Sequence, residues 1–292
     1  MNKAKYFYNK LQNSNSIFTI VLKGISQIFL QENILTGLLF IIGVFVASYQ
    51  MGIALVFATL SGSLTALVFK FSKENLYKGL YGFSASLLGV GLLFFFESDL
   101  IIWIFIFIGS VIASLLQEIF IRKNIPAFTL PFVIVTWISI FILKKYFHYE
   151  TISSTLTEFS NWDYLKYPFR GFGQVIFQAN LISGILFFVG VIIASKQAGK
   201  FGFFASISSG LLAMFFLLSN EMVFLGLFSY NAVLSAIAFA DNSKNSWIWA
   251  SISVLLSFII SFTMFKFELI QLTFPFVLAS MIVVYIKRLF PS

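Results

Sequence analysis

Cysteine is absent from the 292-residue chain, and histidine occurs once, at His148. Without thiols the chain has no means of forming disulfides or thiolate metal sites. A lone histidine at the edge of a polar stretch most often has no catalytic role, and the sequence contains no second histidine that could act with it. Enzyme catalysis in a membrane needs an acid–base pair, metal ligands or an activated nucleophile. The sequence therefore predicts no enzyme activity, no catalytic residues, no metal and no cofactor.

Charged residues make up only 10% of the chain, whereas hydrophobic residues make up 59% and the mean hydropathy is +0.95. Apolar runs such as ILTGLLFIIGVFVASYQMGIALVFATL and WIWASISVLLSFIISFTMF recur along its whole length. Each is long enough to cross about 30 Å of hydrocarbon as a helix. The composition predicts an all-α, polytopic membrane protein whose surface is in contact with lipid.

The net charge of +8 comes from basic residues that stand singly or in pairs between apolar runs. No basic face of the kind that binds nucleic acid is formed, so no nucleic-acid partner is expected. With the amino terminus inside, fourteen of the 19 Lys and Arg residues fall on the inner side of the predicted spans and five on the outer side. This bias predicts that both termini are cytoplasmic.

The chain consists of two copies of one unit. The segment that begins at Lys23 aligns with the segment that begins at Arg170, and 11 of the 24 positions from Gln27 to Gln50 are identical at an offset of 147 residues. GLYGFSASL aligns with GLFSYNAVL at the same offset, and TLPF aligns with TFPF at an offset of 144. Self-similarity of this kind indicates an internal structural repeat.

Each copy holds about five apolar spans. We place them near 33–48, 52–71, 79–97, 100–121 and 132–148, and again near 180–195, 199–219, 223–240, 246–266 and 276–290. Because five is odd, the second copy must be inverted relative to the first. The predicted organisation is a cytoplasmic amino-terminal segment (1–23), a first transmembrane repeat (24–148), an extracellular linker (149–169) and a second, inverted repeat (170–292).

Two segments in each copy are too short to span a membrane. One ends at QIFLQEN or QVIFQAN, and the other precedes TLPF or TFPF. Irregular backbone at membrane depth is tolerated only where protein or a watery cavity covers it, and matched broken helices in inverted halves indicate a substrate site. The side chains there are neutral, namely Gln27, Gln174, Thr129 and Thr273. We found no intramembrane lysine or arginine to pair with the acidic residues at the span ends, so an uncharged substrate is expected.

The same residues can also be interpreted as purely structural. A single glutamine in a transmembrane helix most often bonds a neighbouring helix, and the threonines could cap a re-entrant helix. The glycines Gly37, Gly43, Gly184 and Gly190 are interpreted as close helix contacts. Asn33 and Asn180 are assigned a structural role.

Three motifs occur in the same order in both copies: Q-x-x-x-Q-x-N, G-L-[YF]-x-[FY]-[SN]-A and the proline motif that ends in T-x-P-F. In this ordered duplication the chain resembles the urea transporters, from Gly24 to Phe276. The resemblance implies about ten transmembrane helices in two inverted five-helix repeats, with two re-entrant half-helices each. It also implies a homotrimer with one pore per subunit, in the inner or plasma membrane of a bacterium.

The resemblance assigns residues to the pathway by motif. The glutamine of each copy borders a urea site, the threonine of each T-x-P-F lines a narrow middle, and aromatic and leucine residues form a flat slot. Carried over, the substrate-pathway residues are Gln27, Gln174, Thr129, Thr273, Phe83, Leu87, Phe177, Tyr230, Leu234 and Leu30. Carbonyls freed by the broken helices are expected to accept hydrogen bonds from the N–H groups of planar urea.

Some positions depart from the family pattern. Leu30 stands where the second copy has Phe177, Ser84 stands where it has Asn231, and Ile270 replaces the first proline of the second motif. Passive urea transport is the leading hypothesis. A facilitator for other small neutral amides or ammonia, a membrane enzyme and a purely structural oligomer are the alternatives that the sequence leaves open.

Overall fold

Helices form all the regular structure in the part of the chain that the computed structural model describes, which is residues 3–152, 160 and 162–289. A 3-10 turn at Gln27–Phe29 follows the second helix. The helices are α1 (Lys3–Gln12), α2 (Ile17–Ser26), α3 (Ile34–Ala47), α4 (Tyr49–Val68), α5 (Lys73–Tyr77), α6 (Phe83–Phe95), α7 (Leu100–Arg122), α8 (Leu130–Tyr146), α9 (Asp163–Gln174), α10 (Leu181–Ala194), α11 (Lys196–Phe215), α12 (Asn220–Phe224), α13 (Tyr230–Ile237), α14 (Ser246–Lys266) and α15 (Phe274–Leu289).

Four of these helices, α4, α7, α11 and α14, are each long and apolar enough to cross a membrane. A further candidate is the pair formed by Ile17–Phe29 and α3, which bends by 77° at a short break. Many large apolar side chains on these helices are exposed, as expected where lipid is the solvent. The protein is therefore a polytopic helical membrane protein, as the composition predicts.

The helices from α2 to α8 are repeated in the same order from α9 to α15. Helices α3 and α10 have 14 residues each, and α4 and α11 have 20 each. Left-handed backbone recurs at matched sites: Leu30 and Phe177 have φ of 59° and 58°, and Gly79 and Gly226 have φ of 80° and 81°. The duplicated sequence thus forms a duplicated set of helices and turns.

Helices α3 and α10 join the two copies through reciprocal contacts. Thr36 Oγ1 donates to the Gly190 carbonyl at 2.7 Å, and Ser183 Oγ donates to the Gly43 carbonyl at 2.7 Å. A Cβ at Gly43 would lie 2.5 Å from the Phe187 ring, and one at Gly190 would lie 2.9 Å from the Phe40 ring. Each contact from one copy to the other is thus matched by an equivalent contact in the opposite direction, as in a twofold relation. Gly43 and Gly190 are close helix contacts, as predicted.

The first break in each copy follows a short helix. After α2 and the 3-10 turn, Leu30 turns the chain with φ of 59°, and after α9 the equivalent Phe177 does so with φ of 58°. Asn33 Oδ1 then accepts the Thr36 N–H and begins α3. Asn180 begins α10 in the same way, which confirms the structural role expected of these asparagines.

The second break differs from the predicted half-helix. In the described residues no separate short helix lies between the end of α7 at Arg122 and the start of α8, and the chain is irregular from Lys123 to Thr129. Pro126 has no N–H to donate, and Phe128 has a φ of 47°. The second copy breaks in the same way before Phe274, although it lacks that proline, and Leu272 has a φ of 46°. The irregular segment therefore does not depend on Pro126.

Several predicted boundaries fall inside turns or helices. The predicted span 79–97 begins as a helix only at Phe83, and the predicted span 223–240 is divided between α12 and α13. Gly79 and Gly226 cause both differences, since their positive φ interrupts the helix. Helix α9 begins at Asp163, within the predicted linker, and α1 shows that the amino-terminal segment is helical. Residues 153–159 and 161 of the linker lie outside the described residues.

Candidate functional site

The two threonines of the T-x-P-F motifs face each other in the interior. Their hydroxyl oxygens lie 2.6 Å apart in a hydrogen bond, and both residues are buried. Thr129 occupies the N-cap position of α8, but its side chain makes no capping bond. Its hydroxyl is used for the contact with Thr273. This geometry does not support the capping interpretation for Thr129.

A cavity of about 250 Å³ lies beside the threonine pair. It brings together four of the predicted residues, Gln174, Phe177, Tyr230 and Thr273. The described residues that line it include no Asp, Glu, Lys or Arg. The cavity combines aromatic walls with a few neutral polar groups, which suits a small uncharged ligand.

The two glutamines make equivalent bonds to the backbone of a neighbouring segment. Gln27 Nε2 donates to the Lys78 carbonyl at 3.0 Å, and Gln174 Nε2 donates to the Leu225 carbonyl at 3.0 Å. Within the described part of the chain neither Oε1 forms a hydrogen bond. The amide nitrogen thus has the structural role considered above, while the amide oxygen keeps its capacity to accept.

Tyr230 lies at the start of α13 and points its hydroxyl at the second break. The hydroxyl donates to the Leu272 carbonyl at 2.7 Å, and Asn231 Nδ2 donates to the same carbonyl at 3.3 Å. Phe83, the equivalent of Tyr230 in the first copy, has no hydroxyl. Phe83, Leu87 and Leu234 are buried in the main apolar core and are not among the residues that line the cavity.

Phe177 packs against rings from the first copy. Its ring centroid lies 5.1 Å from that of Phe94 and 6.1 Å from that of Phe132, with interplanar angles of 41° and 75°. Tyr230 lines the same cavity. The pairs around Phe177 are thus tilted or edge-on. Leu30, the equivalent of Phe177, is partly buried against the core and does not line this cavity.

The carbonyls of the second break are already bonded, contrary to expectation. Trp137 Nε1 donates to the Ile270 carbonyl at 2.8 Å, and the Phe274 N–H donates to the Gln271 carbonyl at 3.1 Å. Tyr230 bonds the Leu272 carbonyl. The protein satisfies these groups because an unpaired carbonyl in the interior would be costly.

Two basic residues lie on the short helices, contrary to the expectation that no lysine or arginine is available there to pair with acidic groups. Lys23 is 6% exposed and its Nζ lies 2.7 Å from a Glu32 carboxylate oxygen. Arg170, at the matching position in α9, lies 2.7 Å from a carboxylate oxygen of Asp163. Each cation has a carboxylate within reach, which makes burial tolerable. Neither pair contributes a residue to the lining of the cavity.

Sequence comparison between the copies missed most of the residues that line the cavity, among them Phe94, Phe95 and Gln271. Gln271 aligns with Ala127, and Phe94 with Asp241, so matching the two copies did not select them. The available signal for Gln271 was a polar residue within the apolar stretch that precedes TFPF. Phe94 and Phe95 come from the first copy and meet a cavity built mostly by the second, so only the tertiary arrangement identifies them.

The described residues include no group of three or more His, Cys, Asp or Glu side chains positioned to hold a metal ion. His148 follows α8 and lines an outer cleft together with Glu97 and Asp99. It is separate from the neutral cavity. The structure therefore brings together glutamine, threonine and aromatic groups at the broken helices, and it keeps the only histidine away from them.

The duplicated helices and the membrane-span candidates define a polytopic membrane protein with an internal repeat, and its neutral cavity lies at the broken helices. The family model "Urea transporter" matches residues 18–288, and the chain therefore belongs to the urea transporter family.

Curated relatives of the chain agree with this family. The chain is 26% identical over 238 residues to urea transporter 1 of Rattus norvegicus, a match that covers 75% of this chain and 61% of the relative. The match to urea transporter 1 of Mus musculus has the same identity and coverage, and that of Capra hircus is 24% identical over 235 residues. The chain spans about three-fifths of the length of these relatives.

Proposed function

We propose that the protein is a passive, channel-type transporter of urea that conducts its substrate down a gradient across the cell membrane. The observation that supports this most directly is the neutral cavity that is lined by Thr273, one member of the bonded threonine pair. The chain belongs to a family of transporters, and its relatives are named for urea. Urea is uncharged, so a pathway without charged side chains can carry it without desolvating an ion.

The groups of the cavity suit the shape and hydrogen bonding of urea. Urea is planar, with two amide groups that donate and one carbonyl that accepts. Phe177 and Tyr230 offer flat apolar surfaces, and the free Oε1 of Gln174 offers an acceptor. A channel needs binding that is favourable enough to admit the substrate and weak enough to release it. Neutral hydrogen bonds of this kind meet that requirement.

The threonine pair marks the narrow middle of the proposed pathway. In this structure the two hydroxyls satisfy each other across the route. A hydroxyl donates one hydrogen bond and accepts others, so passing urea can replace the Thr129–Thr273 bond with bonds to itself. On the far side the pathway continues past Gln27, Leu30, Phe83 and Leu87, the first-copy counterparts of the cavity residues.

The proposed architecture has about ten membrane spans in two inverted five-helix repeats, with a re-entrant half-helix at the first break of each copy. The reciprocal contacts of Thr36 with Gly190 and Ser183 with Gly43 support a twofold relation between the copies. An odd number of spans per copy places that axis in the membrane plane. The distribution of lysine and arginine supports cytoplasmic termini in a bacterial inner or plasma membrane. The proposed assembly is a homotrimer with one pathway per subunit.

Urea flux into proteoliposomes tests the function. Stopped-flow light scattering would compare urea with acetamide, using the Thr129→Val variant as the reference for a blocked pathway. We expect rapid urea entry in the wild type and slow entry in the variant. Faster entry of acetamide than of urea would favour a facilitator for other neutral amides, the alternative suggested by Leu30 and Ser84. Absence of urea entry in the wild type would overturn the proposal.

A further inference from the structure

Gln271 lies two residues before Thr273 in the irregular segment between α14 and α15. It lines the same cavity as Gln174, Phe177 and Tyr230. In the first copy the equivalent position is Ala127, which has no polar side chain. The cavity on the second-copy side therefore holds an additional amide that the repeat does not provide on the other side.

The backbone around Gln271 is fixed in place. The carbonyls of Ile270, Gln271 and Leu272 accept bonds from Trp137 Nε1, the Phe274 N–H and the Tyr230 hydroxyl, respectively. These bonds hold an otherwise irregular segment at a defined position beside the cavity. These three donors therefore bond backbone carbonyls and not the Gln271 side chain.

The side-chain oxygen of Gln271 is buried and has no hydrogen-bond partner within the described structure. A buried acceptor without a partner is costly, and such a group calls for an explanation. The side chain caps no helix, and no described residue bonds its oxygen. Its position in the lining makes a ligand in the cavity the partner that can satisfy it.

We propose that Gln271 is a substrate-binding residue that sets the preference for urea over amides with a single amino group. Its Oε1 accepts one N–H of the substrate while the Gln174 Oε1 accepts another. Two acceptors match the two amino groups of urea. Acetamide presents a methyl group in place of one of them and leaves one acceptor unsatisfied. A site built to bond an N–H rejects the analogue that lacks it. This inference rests on the proposed function.

The test is the ratio of urea to acetamide permeability in proteoliposomes. Gln271→Ala reproduces the residue of the first copy, and Gln271→Met keeps the length of the side chain without its amide. We expect either variant to lower the urea-to-acetamide ratio roughly fivefold and to raise the half-saturating urea concentration, as for the loss of one hydrogen bond. Because two variants of different size are used, a folding defect in one leaves the other as a test.

Gln117→Ala is the matched control. Gln117 also has a buried side-chain oxygen without a partner, but it lies on α7 and does not line the cavity. Its substitution is expected to leave the ratio unchanged. A wild-type ratio in the Gln271→Met variant, with urea still transported, would overturn this inference alone. Failure of the wild type to transport urea would instead overturn the proposed function.

Discussion

Thr129 and Thr273 are 144 residues apart in the chain, yet their hydroxyl oxygens lie 2.6 Å apart in the interior. They occupy equivalent positions in the two copies, so the bond joins a residue to its own counterpart. In the proposed inverted-repeat architecture, a contact of this kind would lie on the axis that relates the copies. Thr273 lines the cavity together with Gln174 and Tyr230, so the pair lies beside that cavity.

Substitution of either threonine should slow urea flux, and the effects of the two substitutions should not add. Valine keeps the shape of threonine but replaces the hydroxyl with a methyl group, so urea loses a bonding partner at the middle of the pathway. We expect Thr129→Val and Thr273→Val each to reduce urea flux by about tenfold, which corresponds to about 1.4 kcal/mol. Because the two hydroxyls act as a unit, urea flux through the double variant should be about the same as through either single variant. Stopped-flow flux of all four proteins checks this, and strictly multiplicative losses would argue for independent roles.

The pathway glutamines should matter for flux more than for folding. Gln174→Ala and Gln27→Ala each remove one bond to a backbone carbonyl and one free acceptor. We expect slower urea entry in both, with a loss of about 1 kcal/mol in the free energy of unfolding. Gln178→Ala is the control, because Gln178 is buried, bonds the Ile176 carbonyl and does not line the cavity. Equal flux in Gln174→Ala and Gln178→Ala would reject the assignment of Gln174.

The Tyr230 hydroxyl should contribute to the position of the second break. Tyr230→Phe keeps the ring, recreates the residue found at Phe83 and removes the bond to the Leu272 carbonyl. Asn231 still bonds that carbonyl, so we expect a modest loss of about 1 kcal/mol in stability and a few-fold slower urea flux. Tyr285→Phe, a change at an exposed tyrosine away from the cavity, should leave both unchanged. Wild-type flux in Tyr230→Phe would show that the hydroxyl does not position the pathway.

Gly37 and Gly184, which occupy equivalent positions in the two copies, should each be required for close helix packing. A Cβ at Gly37 would lie 2.0 Å from the Leu22 carbonyl oxygen, and one at Gly184 would lie 2.2 Å from the Phe169 carbonyl oxygen. Backbone cannot yield as a flexible side chain does, so Gly37→Ala and Gly184→Ala should each lower stability by about 3 kcal/mol or more. Gly91→Ala, whose Cβ would meet only a ring at 3.3 Å, should cost far less. Thermal unfolding in detergent measures all three, and similar melting temperatures would contradict the packing.

The contact between Tyr149 and Asp99 should contribute stability at neutral pH that is lost in acid. Partial burial opposes ionisation of Asp99, but hydrogen bonds from the Tyr149 hydroxyl and the Ile102 N–H outweigh it and lower its pKa. A lowered pKa contributes stability that is complete above the ordinary pKa and is lost as the pH falls through the lowered one. The contribution of Asp99 to stability should therefore be constant from about pH 5 to about pH 8.

Tyr149→Phe tests this acid response. The variant removes one of the bonds that lower the pKa of Asp99. The variant should be less stable than the wild type above about pH 5, and this difference should shift toward zero as the pH falls through the lowered pKa of Asp99. Thermal unfolding measured from about pH 8 down to about pH 3 would detect the shift. Superimposable profiles for the two proteins would show that this bond does not contribute.

The sequence predicts the class of fold and the helix order because both follow from hydropathy and duplication. Runs of apolar residues locate α4, α7, α11 and α14 directly. The sequence does not locate the turns within predicted spans, since Gly79 and Gly226 lie in apolar surroundings and only their positive φ identifies the interruption. It also gives no warning that Lys23 is buried, because its carboxylate partner Glu32 comes within reach only through the turn at Leu30.

The candidate site could be predicted where the two copies agree and not where they differ. Gln174, Thr273 and Tyr230 stand at repeated motifs, and the structure brings them to one cavity. Gln271 has no polar counterpart, and Phe94 reaches the cavity from the other copy. The expectation of free carbonyls is wrong at Ile270 and Leu272, because the donors that bond them, Trp137 and Tyr230, are distant in sequence from the second break.

The rate of urea entry into proteoliposomes, measured by stopped flow for the wild type and for Thr129→Val, tests the central claim most directly. The account predicts rapid, saturable urea entry in the wild type and about tenfold slower entry in a variant that is folded and equally abundant. Equal urea entry in the two proteins would contradict a route through the threonine pair.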